Sequence, residues 1–371
     1  MERRPRWGWD MGIRALVIED SIIFQRVMDS TLKGMRGIDG VSVAGTGREG
    51  LAAVDAGGVD VVFLDLNLPD MNGLAVLAEL NRRPRRPEVI VVSAAGGSTT
   101  DVDLTVKALQ SGALEFIRKP SSGGYLESVR MLREDLERAV KLMGTRRAFQ
   151  AGVRPAIATP AVRPPQAATR PGGDSFWITA VAVSTGGPEA LGKVVPDLPA
   201  DYPVPVVVVQ HMPPVFTRSL AASLDARSAL TVVEAAEGMK LRAGTVYIAP
   251  GGRHMTVRRE GGLDVVRLND EAPECNVRPA ADVLFRSLAR IGDRASVLAV
   301  VMTGMGEDGK AGLTELKRGR CVCLSQSRES CVVYGMPRSV DEAGLADESV
   351  DLGRIARRLA ELQKAPLAGR P

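Results

Sequence analysis

Short apolar runs alternate with amphipathic stretches along most of the chain, and the alternation breaks once, in a proline-rich interval between residues 144 and 174. Ahead of that break, the runs at Arg14 to Ile18, Val41 to Ala44, Val59 to Asp65, Val89 to Ser93 and Glu115 to Arg118 have the length and composition of strands. Segments of helical spacing lie between them, the last from about Leu126 to Met143. Strands and helices taken strictly in turn predict a parallel sheet covered on both faces, here five βα units. Behind the break, strands are predicted at Trp177 to Val183, Val204 to Gln210, Thr245 to Ala249, Val297 to Met302 and Cys321 to Ser325. Met255 to Arg258 and Leu263 to Leu268, joined through Glu260, Gly261 and Gly262, predict a hairpin. Helices are expected to start at Pro188, near Phe216, at Pro279 and just after Asp308. The fold class is α/β in two domains, the second a doubly wound, mostly parallel sheet with an antiparallel hairpin.

Composition narrows this picture. A chain of 371 residues, 45% hydrophobic and 25% charged, is globular and too long for one typical core. No apolar run approaches the length of a membrane span, and MERRPRWGWD lacks the apolar stretch of a signal peptide, so the expectation is a cytoplasmic protein without direct membrane insertion. The formal net charge of +4 is partly local: residues 144–174 hold five arginines against one acid, with five prolines and seven alanines. That interval reads as a tether. It has a single aromatic, Phe149, rather than an interleaved set, and the second half has no short basic recognition helix, so nucleic acid is not an expected partner. The expected division is an N-terminal tail at 1–11, domains at 12–140 and 176–365, and a linker at 141–175. Cys275, Cys321, Cys323 and Cys331 show no paired CxxC spacing and are expected to be reduced and mostly buried.

In the first domain, chemistry gathers at the carboxyl ends of strands. Glu19 and Asp20 end the first, Asp65 the third, Ser93 the fourth and Lys119 the fifth. Acids at neighbouring strand ends repel unless a cation joins them, and a hard oxygen cluster suits Mg²⁺. Ser93 and Lys119, the latter followed by Pro120, stand where a phosphoryl group needs donors. IEDS (Ile18 to Ser21), DLNLPDMNG (Asp65 to Gly73), VVSA (Val91 to Ala94) and FIRKP (Phe116 to Pro120) resemble the marks of response-regulator receiver domains. The resemblance implies a flavodoxin-like (βα)5 fold, Asp65 as phosphoacceptor, and Mg²⁺ held by Glu19, Asp20, Asp65 and the backbone carbonyl of Asn67. It also implies that Ser93 and Lys119 contact the phosphoryl oxygens, with a histidine kinase as phosphodonor. Glu19 stands where Asp is more usual, and Phe116 where many receivers have Tyr.

In the second domain, VAVSTGGPEA (Val181 to Ala190), VVVVQHMPPVFT (Val206 to Thr217) and VVMTGMGEDG (Val300 to Gly309) each run a strand into a turn bearing one catalytic-type side chain: Ser184, His211 and Asp308. Hydroxyl, imidazole and carboxylate are the parts of a nucleophilic acyl-transfer site, and strand ends in an open α/β sheet converge. Alone, STGGP reads equally well as a phosphate-binding or structural turn, and Asp308 as a helix N-cap. His254, the only other histidine, enters the predicted hairpin and reads as structural or as part of a substrate loop.

Taken with YIAPGGRHM, RPAADVLFRSLA and CVVYGMPRS, these motifs resemble in order and spacing the catalytic domain of the chemotaxis receptor-modifying methylesterases. That resemblance implies a Ser184, His211, Asp308 triad, with Thr185 and the backbone amide of Met305 polarising the substrate carbonyl and no cofactor at the hydrolase site. The implied reaction is hydrolysis of γ-glutamyl methyl esters, and deamidation of glutamines, on cytoplasmic helices of methyl-accepting chemoreceptors. Ala280 and Ala281 depart from the Ser and Val that the family often carries there.

Overall fold

A computed structural model describes residues 12–93, 99–119, 125–150, 176–291 and 296–364. The predicted tail at 1–11, the interval 151–175 of the linker, Ala94, Pro120 and residue 365 lie outside the described residues. The chain divides into two compact units, residues 1–157 and 158–371.

The first unit alternates β1 (Ile13–Ile18), α1 (Ile22–Lys33), β2 (Ile38–Ala44), α2 (Gly47–Asp55), β3 (Val61–Asp65), α3 (Gly73–Asn81), β4 (Glu88–Ser93), α4 (Thr99–Gln110), β5 (Glu115–Arg118) and α5 (Tyr125–Gln150). Its five strands pair in parallel in the order β2-β1-β3-β4-β5. Every residue of β3 is buried, as a strand covered by helices on both faces requires. Ile18 pairs with Leu64, so Glu19 and Asp65 follow side by side.

One boundary differs from expectation. Helix α5 continues to Gln150, past Met143 and into the basic interval read as tether. Arg146 reaches Glu88 at 2.9 Å and Arg147 pairs with Asp60, so two of the five arginines face receiver acids. Composition averaged over the interval concealed those pairings.

The second unit contains β6 (Ile178–Val183), α6 (Gly187–Val194), β7 (Val206–Gln210), α7 (Phe216–Asp225), β8 (Thr231–Glu234), β9 (Thr245–Ile248), β10 (His254–Glu260), β11 (Leu263–Asn269), α8 (Ala281–Ala289), β12 (Val297–Val301), α9 (Lys310–Leu316), β13 (Cys321–Gln326), α10 (Met336–Glu342), β14 (Glu348–Val350) and α11 (Leu352–Lys364). Seven strands form a wholly parallel sheet in the order β14-β13-β12-β6-β7-β9-β8. The hairpin β10–β11 turns on Gly261 and Gly262 and forms its own two-stranded sheet. The two edge strands β8 and β14 are short and half exposed, and their weak apolar patterns did not mark them as strands. Strands β6, β7 and β12 are buried throughout, and the order reverses at β6, which places the crevice of a doubly wound sheet at their carboxyl ends.

Helices α8 and α9 pack closely where Gly312 meets the backbone of Asp282: a methyl at Gly312 would lie 2.6 Å from the Asp282 carbonyl oxygen and 2.7 Å from Phe285 Cβ. Gly312→Ala is therefore expected to cost roughly 1–3 kcal/mol by overpacking, seen as a lower urea midpoint at unchanged slope. An unchanged midpoint would mean that the two helices separate freely.

Candidate functional site

Register alone brings Ser184 and His211 together. Val183 pairs with Gln210 across adjacent strands, so Ser184 and His211 are the next residues on each, with strand axes about 4.8 Å apart. The His211 amide donates to the Val183 carbonyl at 3.2 Å, and the Ser184 amide donates to the Thr303 carbonyl at 2.9 Å, just beyond β12. Thr303 fixes the turn from the other side: its hydroxyl donates to the Thr185 carbonyl at 3.0 Å and accepts from the Val333 amide at 2.9 Å. Gln326 receives the Thr303 amide at 2.9 Å. Helix α6 then starts behind Gly186, whose φ of +76° is left-handed, with Pro188 in its first turn.

Asp308 is 2% exposed and accepts four hydrogen bonds. His211 Nε2 lies 2.7 Å from its Oδ2, the Ala281 amide donates to Oδ2 at 2.6 Å, and the amides of Asp282 and Gly309 donate to Oδ1 at 3.0 Å each. Burial alone would raise the pKa of this carboxyl, but the histidine and the amides outweigh burial and hold it below the ordinary value. Asp308 thus caps a helix, though not the one that follows it. Gly309 occupies the N-cap of α9, whereas Asp308 serves α8, whose own N-cap, Ala280, has no capping side chain.

The structure therefore joins His211 to Asp308 and sets Ser184 beside His211 in the backbone, while among the described residues the Ser184 hydroxyl makes no hydrogen bond to the imidazole. Met305 stands 38% exposed on the loop after β12, and Thr185 lies in the Ser184 turn. His254 is structural: it is fully buried, its Nε2 faces the Ala272 carbonyl at 3.1 Å, and its Nδ1 accepts the Ala280 amide at 3.1 Å.

Cys321 and Cys323 are buried as expected, Cys331 is partly buried, and Cys275 is exposed, on a backbone with φ +49°. Cys275, Asp282 and Asp308 offer ligand atoms within 4.8 Å of one another, but both oxygens of Asp308 are already engaged. Burial, followed by the charges of Asp308 and Asp282, pushes the Cys275 thiol up to about 11.

Two supporting residues escaped sequence reading. Gln210 was visible as a polar residue closing an all-valine strand. Asp282 looked like an ordinary first-turn acid, yet it is 3% exposed and accepts the Gly312 amide at 2.6 Å.

In the first unit, Glu19 and Asp65 are buried and Asp20 is exposed, and the three offer oxygens within 4.8 Å of one another. Lys119 Nζ lies 2.6 Å from both Glu19 Oε2 and Asp65 Oδ2, and 5.0 Å from the centre of the Phe24 ring. Burial raises the Glu19 carboxyl above its ordinary value despite that ammonium. For Lys119, burial acts downward, but the hydrogen bonds to Asp65 and Glu19 outweigh it and its pKa is raised. Ser93 is buried on β4, whose Val92 pairs with Asp65, and the Asn67 amide donates to Asp65 Oδ1 at 3.2 Å. An all-oxygen donor set of this kind fits a hard divalent cation.

A five-stranded receiver fold with clustered acids, followed by a second doubly wound domain, defines a response regulator with its own output unit. Residues 15–129 match the response regulator receiver domain, and residues 179–359 match the CheB methylesterase family. A protein-glutamate methylesterase/protein-glutamine glutaminase of Geobacillus kaustophilus is 41% identical over 352 residues, covering 94% of this chain and 98% of that protein. One from Bacillus subtilis is 38% identical over 357 residues, covering 95% and 99%. The solved Thermotoga maritima CheB methylesterase catalytic domain is 42% identical, covers 51% of this chain and 99% of its own, and has a TM-score of 0.49. The chain belongs to the CheB methylesterase family.

The carboxyl of Asp282 carries a pH signature. Burial pushes it up to about 6 from 3.8, with the Gly312 amide pulling back and the Asp308 charge adding to the rise. A raised folded value means that the stability it contributes is present below pH about 4 and lost as pH climbs through 6. At 1.36 kcal/mol per unit, the two-unit difference is roughly 3 kcal/mol. Asp308, shifted the other way, acts below pH about 4, outside that window. Thermal melts between pH 4 and 7 are expected to fall less steeply for Asp282→Asn than for the wild type; parallel curves would remove Asp282 as the source.

Proposed function

We propose that the chain is a phosphorylation-activated protein-glutamate methylesterase of the cytoplasm. It hydrolyses γ-glutamyl methyl esters on the cytoplasmic helices of chemoreceptors and deamidates specific receptor glutamines at the same site. The observation that carries this reading is the 2.7 Å bond between His211 Nε2 and the buried Asp308 carboxylate, one residue beyond the strand pairing that aligns His211 with Ser184.

In the mechanism, Asp308 orients the imidazole and stabilises its cation without taking the proton. Because Oδ2 of Asp308 faces Nε2, the neutral ring carries its proton there, and Nδ1 is the nitrogen left to act as base. Ser184 Oγ attacks the side-chain carbonyl carbon of the substrate while its proton passes to Nδ1 of His211. The carbonyl oxygen becomes an oxyanion polarised by Thr185 and the Met305 amide. Collapse forms the acyl-serine, and the leaving methoxide or amide nitrogen takes the proton from His211 and departs as methanol or ammonia. Water then repeats the attack, with His211 as base, and releases the glutamate carboxylate and Ser184. General-base assistance contributes about 10²–10⁴-fold, and each oxyanion donor about 3 kcal/mol.

Control enters through Asp65, phosphorylated by a chemotaxis-type histidine kinase. Mg²⁺ held by Glu19, Asp20, Asp65 and the Asn67 carbonyl would neutralise charge during phosphoryl transfer, while Ser93 and Lys119 hold the phosphoryl oxygens. The proximity of Lys119 to both buried acids supports this assignment.

Methanol release from methylated receptor membranes tests the reading. Ser184→Ala is expected to lose about 10⁴-fold or more, and Asp308→Asn about 10⁴-fold. Full activity in Ser184→Ala would refute the nucleophile. A small phosphodonor is expected to stimulate the wild type and to leave Asp65→Asn at its basal rate; equal stimulation of both would place control elsewhere.

A further inference from the structure

Gln210 closes β7 immediately before the histidine, and its side chain is 1% exposed. Its Nε2 donates to two backbone carbonyls, that of Ser184 at 3.0 Å and that of His211 at 3.1 Å. No other side chain among the described residues hydrogen-bonds to both of these residues' backbones. The orientation of the carboxamide is determined by its surroundings, since the reversed amide would set an oxygen against two carbonyl oxygens.

The opposite end of the carboxamide makes the arrangement unusual. Gln210 Oε1 is buried and has no hydrogen-bond partner. Leaving a buried acceptor unpaired is costly, and apolar residues of similar shape would avoid that cost. A β-carbon at Gly187 would fall 1.9 Å from this oxygen, so the start of α6 accommodates the carboxamide only because residue 187 is glycine. The Gly187 amide meanwhile donates to the same Ser184 carbonyl at 2.7 Å, which gives that oxygen two donors.

We infer that Gln210 is a positioning residue for the proposed reaction: its carboxamide clamps the carbonyls of Ser184 and His211 and so fixes the spacing and aim of nucleophile and base. The inference rests on the assignment of those two residues made above. Gln210 itself touches neither substrate nor the transferred proton. Its loss removes a donor from the His211 carbonyl and leaves the Ser184 carbonyl with the Gly187 amide alone, and displacement of the reacting groups by a fraction of their separation is enough to slow the chemical step.

The test compares Gln210→Met, which keeps the shape and removes the donors, with Gln210→Glu, in the full-length protein with methylated receptor membranes. Gln210→Met is expected to lower kcat about 10–100-fold while KM stays within about twofold. In Gln210→Glu, the carboxylate repels both carbonyls, whereas the protonated acid restores one donor. Its activity relative to wild type is therefore expected to rise as pH falls, while the same ratio for Gln210→Met stays flat. With rates expressed per folded enzyme, measured by circular dichroism at each pH, a role limited to stability would give neither the kcat-only effect nor the pH-dependent ratio. Near-wild-type kcat in Gln210→Met, or a flat ratio in Gln210→Glu, overturns the clamp. Should Gln210→Met fail to fold, the ratio for Gln210→Glu decides alone. Ser184→Ala measured alongside separates the two levels: an active Ser184→Ala sinks the nucleophile assignment, whereas an inactive Ser184→Ala beside a fully active Gln210→Met sinks only the clamp.

Discussion

A carboxylate removed from water must be given donors, and the way Asp308 obtains its four organises the second domain around the crevice. Two donors are the opening amides of α8, one is the following amide in its own turn, and one is His211. Helix α8 has no capping side chain of its own, and the loop after β12 supplies it from a distance. The same atom, Oδ2, receives both the helix amide and the imidazole. His254 reinforces the arrangement from the hairpin by accepting the Ala280 amide. Both histidines thus serve the start of one helix, one through a carboxylate and the other directly.

The turn at Ser184 is secured by a comparable division of labour. The loop after β12 contributes the Thr303 carbonyl, β7 contributes Gln210, and α6 contributes the Gly187 amide. Thr303 is in turn held by Gln326 and Val333, which lie at and beyond the end of β13. The central strands therefore deliver three side chains of different chemistry to one rim, and the Ser184 turn is held by Thr303, Gln210 and Gly187, none of which has an acid-base role in the proposed reaction.

Much of this was legible in the chain because the central strands are long, apolar and punctuated by glycine and proline. The positions of Ser184, His211 and Asp308 followed from strand ends, and so did Asp65 and Lys119. The edge strands β8 and β14 were not legible, since a half-exposed strand of three or four residues has little apolar pattern to read. The extension of α5 depends on Arg146 and Arg147 finding Glu88 and Asp60, partners more than fifty residues away. Asp282 and Gln210 were hidden for a related reason. Their residue types are ordinary at a helix start and a strand end, and only burial reveals that each polar group is committed to a backbone partner.

In the receiver, a single ammonium is the shared counter-ion of two interior acids, Glu19 and Asp65, at equal distances. With both acids ionised, one positive charge stands against two negative ones, so neither acid can lose its share of the lysine without cost. On the proposed function, phosphorylation of Asp65 would draw Lys119 toward the dianionic phosphoryl group and leave Glu19, itself buried, short of compensation where water cannot make up the deficit. On that reading the switch starts as a debt of electrostatic neutrality, and the rearrangement that settles it would begin at the ends of β1, β3 and β5, where Glu19, Asp65 and Lys119 stand.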